Sequence, residues 1–129
     1  MKLLQDALGL PDILGTCKFF MYHGVYLEHL AEMLSASTGW EVSGEELIKA
    51  GERAINLQRM FNVREGIRRA DDRLQNRVIA QPRFGLYEGE PRCAIKDLSG
   101  MLDEYYHARG WGASDGVPTR EKLLELGLL

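Results

Sequence analysis

Ser43-Gly44-Glu45-Glu46 constrains the fold more than any other stretch of this chain. The Ser43 hydroxyl can accept from the amide three residues on, while the Glu46 carboxylate reaches back to the Ser43 amide. Two orphan donors of a helix N-terminus are then satisfied together. Behind this cap, Leu47, Ala50, Ala54, Leu57, Phe61, Val63 and Ile67 recur as a broad apolar stripe. The pattern predicts one helix from Gly44 to about Arg69. About 26 residues at 1.5 Å rise make it nearly 40 Å long. In a chain of 129 residues such an element has to be central. Gly51 within it costs about 1 kcal/mol against Ala, which points to another backbone passing close by.

Shorter helices surround it. Leu3, Leu4, Ala7 and Leu8 share one face of a first helix, with Gly9 and Pro11 as its stop. Residues 9–17 then read as a loop. A second helix starts near Lys18 or Gly24 and runs to about Ala36, carrying Tyr26, Leu27, Leu30, Met33 and Leu34, with Gly39 at its end. Asp97 or Ser99 caps a helix to Ala108 with Gly110 as its C-terminal stop, and Thr119 caps a last one ending at Gly127. Residues 75–96 hold two prolines, two glycines and no helical periodicity, so they read as an extended wrapping segment. The fold class predicted is all-α: an irregular multihelical single domain over residues 1–129, with one long central helix and that extended segment.

Several classes of function are excluded. Net charge is −3, which gives no pull towards nucleic acid or an anionic membrane. Arg53, Arg59, Arg64, Arg68, Arg69, Arg73, Arg77 and Arg83 are interleaved with Glu52, Glu65, Asp71 and Asp72. They read as solvated faces and interdomain ion pairs rather than as one basic surface. No apolar run approaches the ~20 residues of a membrane span. Met1 to Asp6 is broken by charge too soon for a secretory signal. Cys17 and Cys93 are too few for a disulfide scaffold, and Cys93 reads as structural. A cytoplasmic location follows as the expectation.

A self-contained catalytic set is also missing. There is no C-x-x-C pair, H-E-x-x-H, phosphate-binding glycine loop or nucleophile elbow. His23, His29 and His107 fall on separate elements. His29 and Glu32 have a spacing that can hold a metal, but nothing nearby completes the shell. No catalytic residue is assigned. One stretch still carries chemistry, Asp12-Ile13-Leu14-Gly15-Thr16-Cys17-Lys18-Phe19-Phe20. Asp12 can accept from two N–H donors at the edge of a heterocycle. Gly15 permits a positive φ or the close approach of a flat ligand. Cys17 beside Lys18 can be held as the metal-binding thiolate. A simple turn ending in a free cysteine fits the same residues.

Read with that element, T-G-W-E-V-S-G-E-E-L at 38–47, G-E-R-A-I-N-L-Q-R-M-F-N-V-R-E-G at 51–66, D-D-R-L at 71–74, M-L-D-E-Y-Y-H-A-R-G-W at 101–111 and G-V-P-T-R-E-K-L-L-E-L-G-L from Gly116 resemble, in order, the C-terminal helical part of the tungsten-containing aldehyde:ferredoxin oxidoreductases. The resemblance covers roughly residues 5–129. It implies a [4Fe–4S] cluster with Cys17 as its fourth ligand, the other three lying in a C-x-x-C-x-x-x-C motif absent here. It implies a tungsten (or molybdenum) bis-pterin bound by Asp12, with Gly15 shaping the loop and Thr16 contributing a backbone contact. Thr16 stands where the family usually has leucine, and Gln75 where it commonly has proline. Both cofactors require domains outside this chain. The partners implied are those remaining domains and ferredoxin, with a homo-oligomer possible and neither nucleic acid nor membrane involved. The activity implied is oxidation of aldehydes to carboxylates. Aromatic acyl-CoA reductases share the architecture and form one alternative, a stand-alone helical interaction module the other.

Overall fold

The computed structural model describes residues 1–80 and 82–129. Among them are seven α-helices and no strand: α1 (Lys2–Leu14), α2 (Phe19–Tyr22), α3 (Leu27–Thr38), α4 (Gly44–Arg64), α5 (Asn76–Ile79), α6 (Leu98–Arg109) and α7 (Arg120–Glu125). The all-α class holds. So does the central place of the long helix: α1 packs along α4, and α3 and α6 complete the surroundings. Its capping box forms as expected, Ser43 Oγ accepting from the Glu46 amide at 3.2 Å and Glu46 Oε2 from the Ser43 amide at 2.8 Å. Asp97, Thr119 and Gly110 also take their expected capping places.

Three boundaries differ from the sequence reading. α1 does not stop at Gly9 but runs through Pro11 to Leu14. Proline removes one helical hydrogen bond and crowds the preceding turn, yet Leu10 is 1% exposed in the core with Leu30, Ala31 and Leu47. Packing of that turn outweighs the local rule. The second helix divides at Gly24, which has φ 91°, into α2 and α3. α4 ends at Arg64 rather than Arg69, because Gly66 turns into the left-handed region with φ 92°. The segment expected to be extended over 75–96 contains α5 and a 3₁₀ turn at Pro91–Cys93, with residue 81 outside the described residues. Cys93, read as structural, is exposed there.

The interface between α1 and α4 is polar at its centre. A Cβ on Gly51 would overlap the carbonyl of Asp6, so α1 crosses α4 at backbone contact. Asp6 and Arg109 are both fully buried and pair at 2.5 Å. Lys2 donates to the other Asp6 oxygen at 3.0 Å and reaches Glu52 at 3.1 Å. Arg109 also donates to Gln5 (2.8 Å) and to the Tyr105 hydroxyl (3.0 Å). One turn further along α4, the buried Asn56 accepts from the Trp111 indole at 2.8 Å.

Beyond it the buried Arg59 grips Asp72 with two parallel hydrogen bonds of 2.9 and 2.7 Å and donates to Gly116 O. The Tyr106 hydroxyl donates to the same Asp72 carboxylate. Burial opposes ionisation of Asp72, but the bonds from Arg59 and Tyr106 outweigh it and hold the carboxyl below its usual range. Burial and the bond to Asp72 push the Tyr106 phenol from 10.0 to about 12.

Two predictions follow from this packing. Gly51→Ala gains about 1 kcal/mol of helix propensity, but the added methyl drives α1 off α4. A net loss of about 1–3 kcal/mol is expected from urea unfolding; a more stable variant would show that the two backbones do not touch. The raised Tyr106 pKa favours the protonated phenol in the folded state. Its contribution is complete below pH 10 and is lost as pH rises towards about 12. Unfolding free energy should therefore fall across that window, and Tyr106→Phe should remove part of the slope. Identical slopes in the two proteins would count against the Tyr106–Asp72 bond.

Candidate functional site

The D-x-x-G-x-C element straddles a helix end. Asp12 lies in the last turn of α1 rather than in a loop, because the helix continues through Pro11. Gly15 terminates it with φ 68°, its amide and that of Thr16 both turning back to Pro11 O. No atom lies near enough to oppose a Cβ there, so the positive φ alone accounts for glycine. Thr16 follows, then Cys17, whose side chain is exposed. Lys18 leads into α2, and Phe19 and Phe20 stand largely in solvent.

The electrostatics of this end are adverse to stability. A helix C-terminus carries partial negative charge, so a carboxylate in its last turn is misplaced. Lys18 Nζ lies 2.8 Å from Asp12 Oδ2, but the two side chains are 42% and 67% exposed, and ion pairs in water contribute little. The Thr16 hydroxyl is buried without a hydrogen-bond partner. An acid against the helix dipole, an orphan hydroxyl and a free thiol sit within six residues. Folding of this chain alone explains none of them.

Asp12 and Lys18 line one end of a cleft of about 470 Å³ between α1 and α4, walled by Leu4, Leu8, Ala54 and Ile55. Gly15, Thr16 and Cys17 are outside that lining. A second cleft of about 400 Å³ shares Gln5, Ile55 and Gln58 with the first and ends at Asp72 and Tyr105. Together they form a trough along the exposed side of α4. Sequence reasoning missed the residues at its far end: Arg59 and Asp72 read as part of a solvated charge run. The spacing of Asp72 from Arg59 crosses a helix end and a turn, so no periodicity announces their pairing.

The remaining candidates take local roles. His29 Nδ1 accepts from the Tyr26 amide at 3.0 Å, helping to cap α3, and His23 Nδ1 lies 2.8 Å from Phe19 O. Among the described residues no three His, Cys, Asp or Glu side chains converge as a metal shell. No helix among them is long and apolar enough to cross a membrane.

The sequence profile of a family described as "Aldehyde ferredoxin oxidoreductase, domains 2 & 3" matches residues 1–128. Tungsten-containing aldehyde ferredoxin oxidoreductases of Pyrococcus abyssi and Thermococcus kodakarensis are each 38% identical over 127 residues, 98% of this chain. That of Pyrococcus furiosus is 37% identical over the same length. The chain spans about 20% of the length of these relatives. Among solved structures, the active site complex of benzoyl coenzyme A reductase in complex with 1,5-dienoyl-CoA superposes with a TM-score of 0.73 at 27% identity. The match covers 98% of this chain and 18% of that one. The exposed D-x-x-G-x-C element therefore sits in a chain that belongs to the aldehyde ferredoxin oxidoreductase family, matching the profile of its domains 2 and 3 over residues 1–128.

Proposed function

We propose that residues 1–129 act as one helical domain of a cytoplasmic tungsten pterin oxidoreductase, oxidising an aldehyde to a carboxylate and delivering the electrons to ferredoxin. The observation that carries this reading is the exposed carboxylate of Asp12 and exposed thiol of Cys17 on either side of the Gly15 stop. The residues present fit the cofactors in part. Cys17 offers one thiolate where a [4Fe–4S] cluster takes four, and among the described residues no metal shell stands beside it. The other ligands would come from outside this chain. When bound, the tungsten pterin supplies two-electron chemistry at the substrate and the cluster supplies one-electron transfer.

This chain's own residues hold and orient. Asp12, which pairs with Lys18 through Oδ2 alone, would accept from N–H groups on the edge of a pterin. Gly15 sets the direction in which the chain leaves α1. Cys17 coordinates iron through sulfur. Tungsten rather than molybdenum is favoured because the relatives are tungsten-containing enzymes by name. The likeness to a benzoyl coenzyme A reductase supports a second reading, in which the same site serves reduction of an aromatic acyl thioester.

The surface supports a partner for the chain. A compact monomer of 14.6 kDa exposes about 6,900 Å² by the usual scaling, whereas this one exposes 9067 Å². The excess of roughly 2,000 Å² is the scale of one large interface. α4 shows why. The face it buries carries Gly51, Asn56 and Arg59, while Leu57 and Phe61 of its apolar stripe are 53% and 56% exposed. Those side chains await the remaining domains, or a second copy in a homo-oligomer.

Reconstituted anaerobically, the 129-residue chain should hold less than one cluster per chain by iron and sulfide analysis. One retained cluster per monomer would refute the shared-ligand reading. In the intact enzyme, Cys17→Ser should remove the cluster or shift its potential, since a hard serine oxygen suits iron–sulfur ligation poorly. Asp12→Asn should instead lower pterin and tungsten occupancy and leave the cluster in place, because it loses charge-assisted bonds worth about 1.5–3 kcal/mol. Wild-type metal content and aldehyde oxidation in both variants would reduce the element to a turn.

A further inference from the structure

The segment from Gln75 to Lys96 makes hydrogen bonds only to itself among the described residues. The Ile95 amide donates to Ile79 O at 2.9 Å, closing its base, and the Gly89 amide donates to Pro82 O at 2.9 Å, closing its tip. Gly85 and Gly89, with φ of 87° and 69°, make the two reversals inside that tip. The side chains of the tip point outward: Phe84 is 85% exposed, Leu86 91%, and Tyr87 about half. A loop closed by its own backbone therefore presents apolar side chains it has no means to bury. The segment carries Arg77, Arg83, Arg92 and Lys96 against Glu88 and Glu90, an excess of positive charge in a chain of net charge −3.

We propose that the 82–92 loop is a plug by which this domain docks onto the rest of the enzyme, Phe84 and Leu86 entering an apolar socket rimmed by acidic side chains. The occupant is the part of the enzyme outside these 129 residues, because the chain spans only about 20% of its relatives and exposes roughly 2,000 Å² more than a compact monomer of its size. The charge excess sets the sign of the rim. The inference rests on the reading that this chain works within a larger enzyme, and adds a docking element separate in sequence from the Asp12–Cys17 element.

Hydrogen–deuterium exchange compares the intact enzyme with the 129-residue chain. Amides of residues 83–90 should exchange at least tenfold more slowly in the intact enzyme. Phe84→Ser with Leu86→Ser should return them to the fast rate in the intact enzyme while exchange in α1 and α4 stays slow. Single Phe84→Leu should keep most of the protection, since it keeps an apolar side chain in the socket. Equal exchange in the two forms overturns the proposal. So does protection that develops in the isolated chain as its concentration rises, which would identify a second copy as occupant. Protection that appears only on adding an electron-carrier protein overturns it as well. Iron and tungsten content is read on the same samples. A protected loop in an enzyme that holds neither metal leaves the docking element standing and removes the cofactor reading; a metal-replete enzyme with an unprotected loop does the reverse.

Discussion

The buried pair between Asp6 and Arg109 is the constraint on which the rest of this domain depends. Both side chains are fully buried, and an uncompensated charge at that depth would cost several kcal/mol. The pair survives because each spare hydrogen-bonding position is filled, by Lys2 on one side and by Gln5 and Tyr105 on the other. It joins the first helix to the sixth across 103 residues of sequence. It does so where Gly51 lets α1 lie directly on α4. A hydrophobic contact could bury as much area with less penalty, but it would tolerate sliding. Fixed donors and acceptors do not, so the pair sets the register of α1.

Register matters because α1 carries Asp12 on its last turn. Asp6 and Asp12 lie on one continuous helix, so the buried carboxylate fixes where the exposed one stands. The same logic accounts for the proline. Pro11 weakens the turn that presents Asp12, and Leu10 beside it is held in the core with Leu30 and Leu47. A turn with reduced backbone bonding but anchored side chains keeps the end of α1 in place, and Gly15 then releases the chain abruptly towards Cys17.

The sequence announced what local rules control. The Ser43–Glu46 box, the Asp97 and Thr119 caps and the Gly110 stop depend on neighbours within four residues, and each could be read directly. The close approach at Gly51 was legible too, because a glycine in a capped helix needs a reason. Pairings between distant residues were not. Asp6 entered only as a charge among the first six residues, and Arg59 and Asp72 looked like members of a solvated run. α4 misled in part, since Leu47 of its apolar stripe is buried but Leu57 and Phe61 stay exposed while Asn56 and Arg59 are buried. Pro11 misled for a related reason: local geometry argues for a stop, and the core contact of Leu10 overrides it. The D-x-x-G-x-C element was visible as a pattern, but its position on a helix end was not.

The mixed burial along α4 bears on how such a domain can be stable at all. An amphipathic helix normally turns its apolar face inward, and the polar face costs nothing in water. Here Asn56 and Arg59 are buried within a hydrogen-bond network, and Leu57 and Phe61 of the apolar stripe are left exposed. Such an arrangement is poor economy for a self-sufficient domain. It becomes sensible when two demands are separated. The polar network gives the helices a fixed relative position before any partner arrives, because hydrogen bonds specify geometry more narrowly than apolar contact does. The apolar face then supplies association, which needs area more than direction. Under the function proposed above, a site assembled from several domains would use both: a thiol and a carboxylate held in place on one piece, and a driving force that brings the other pieces to them.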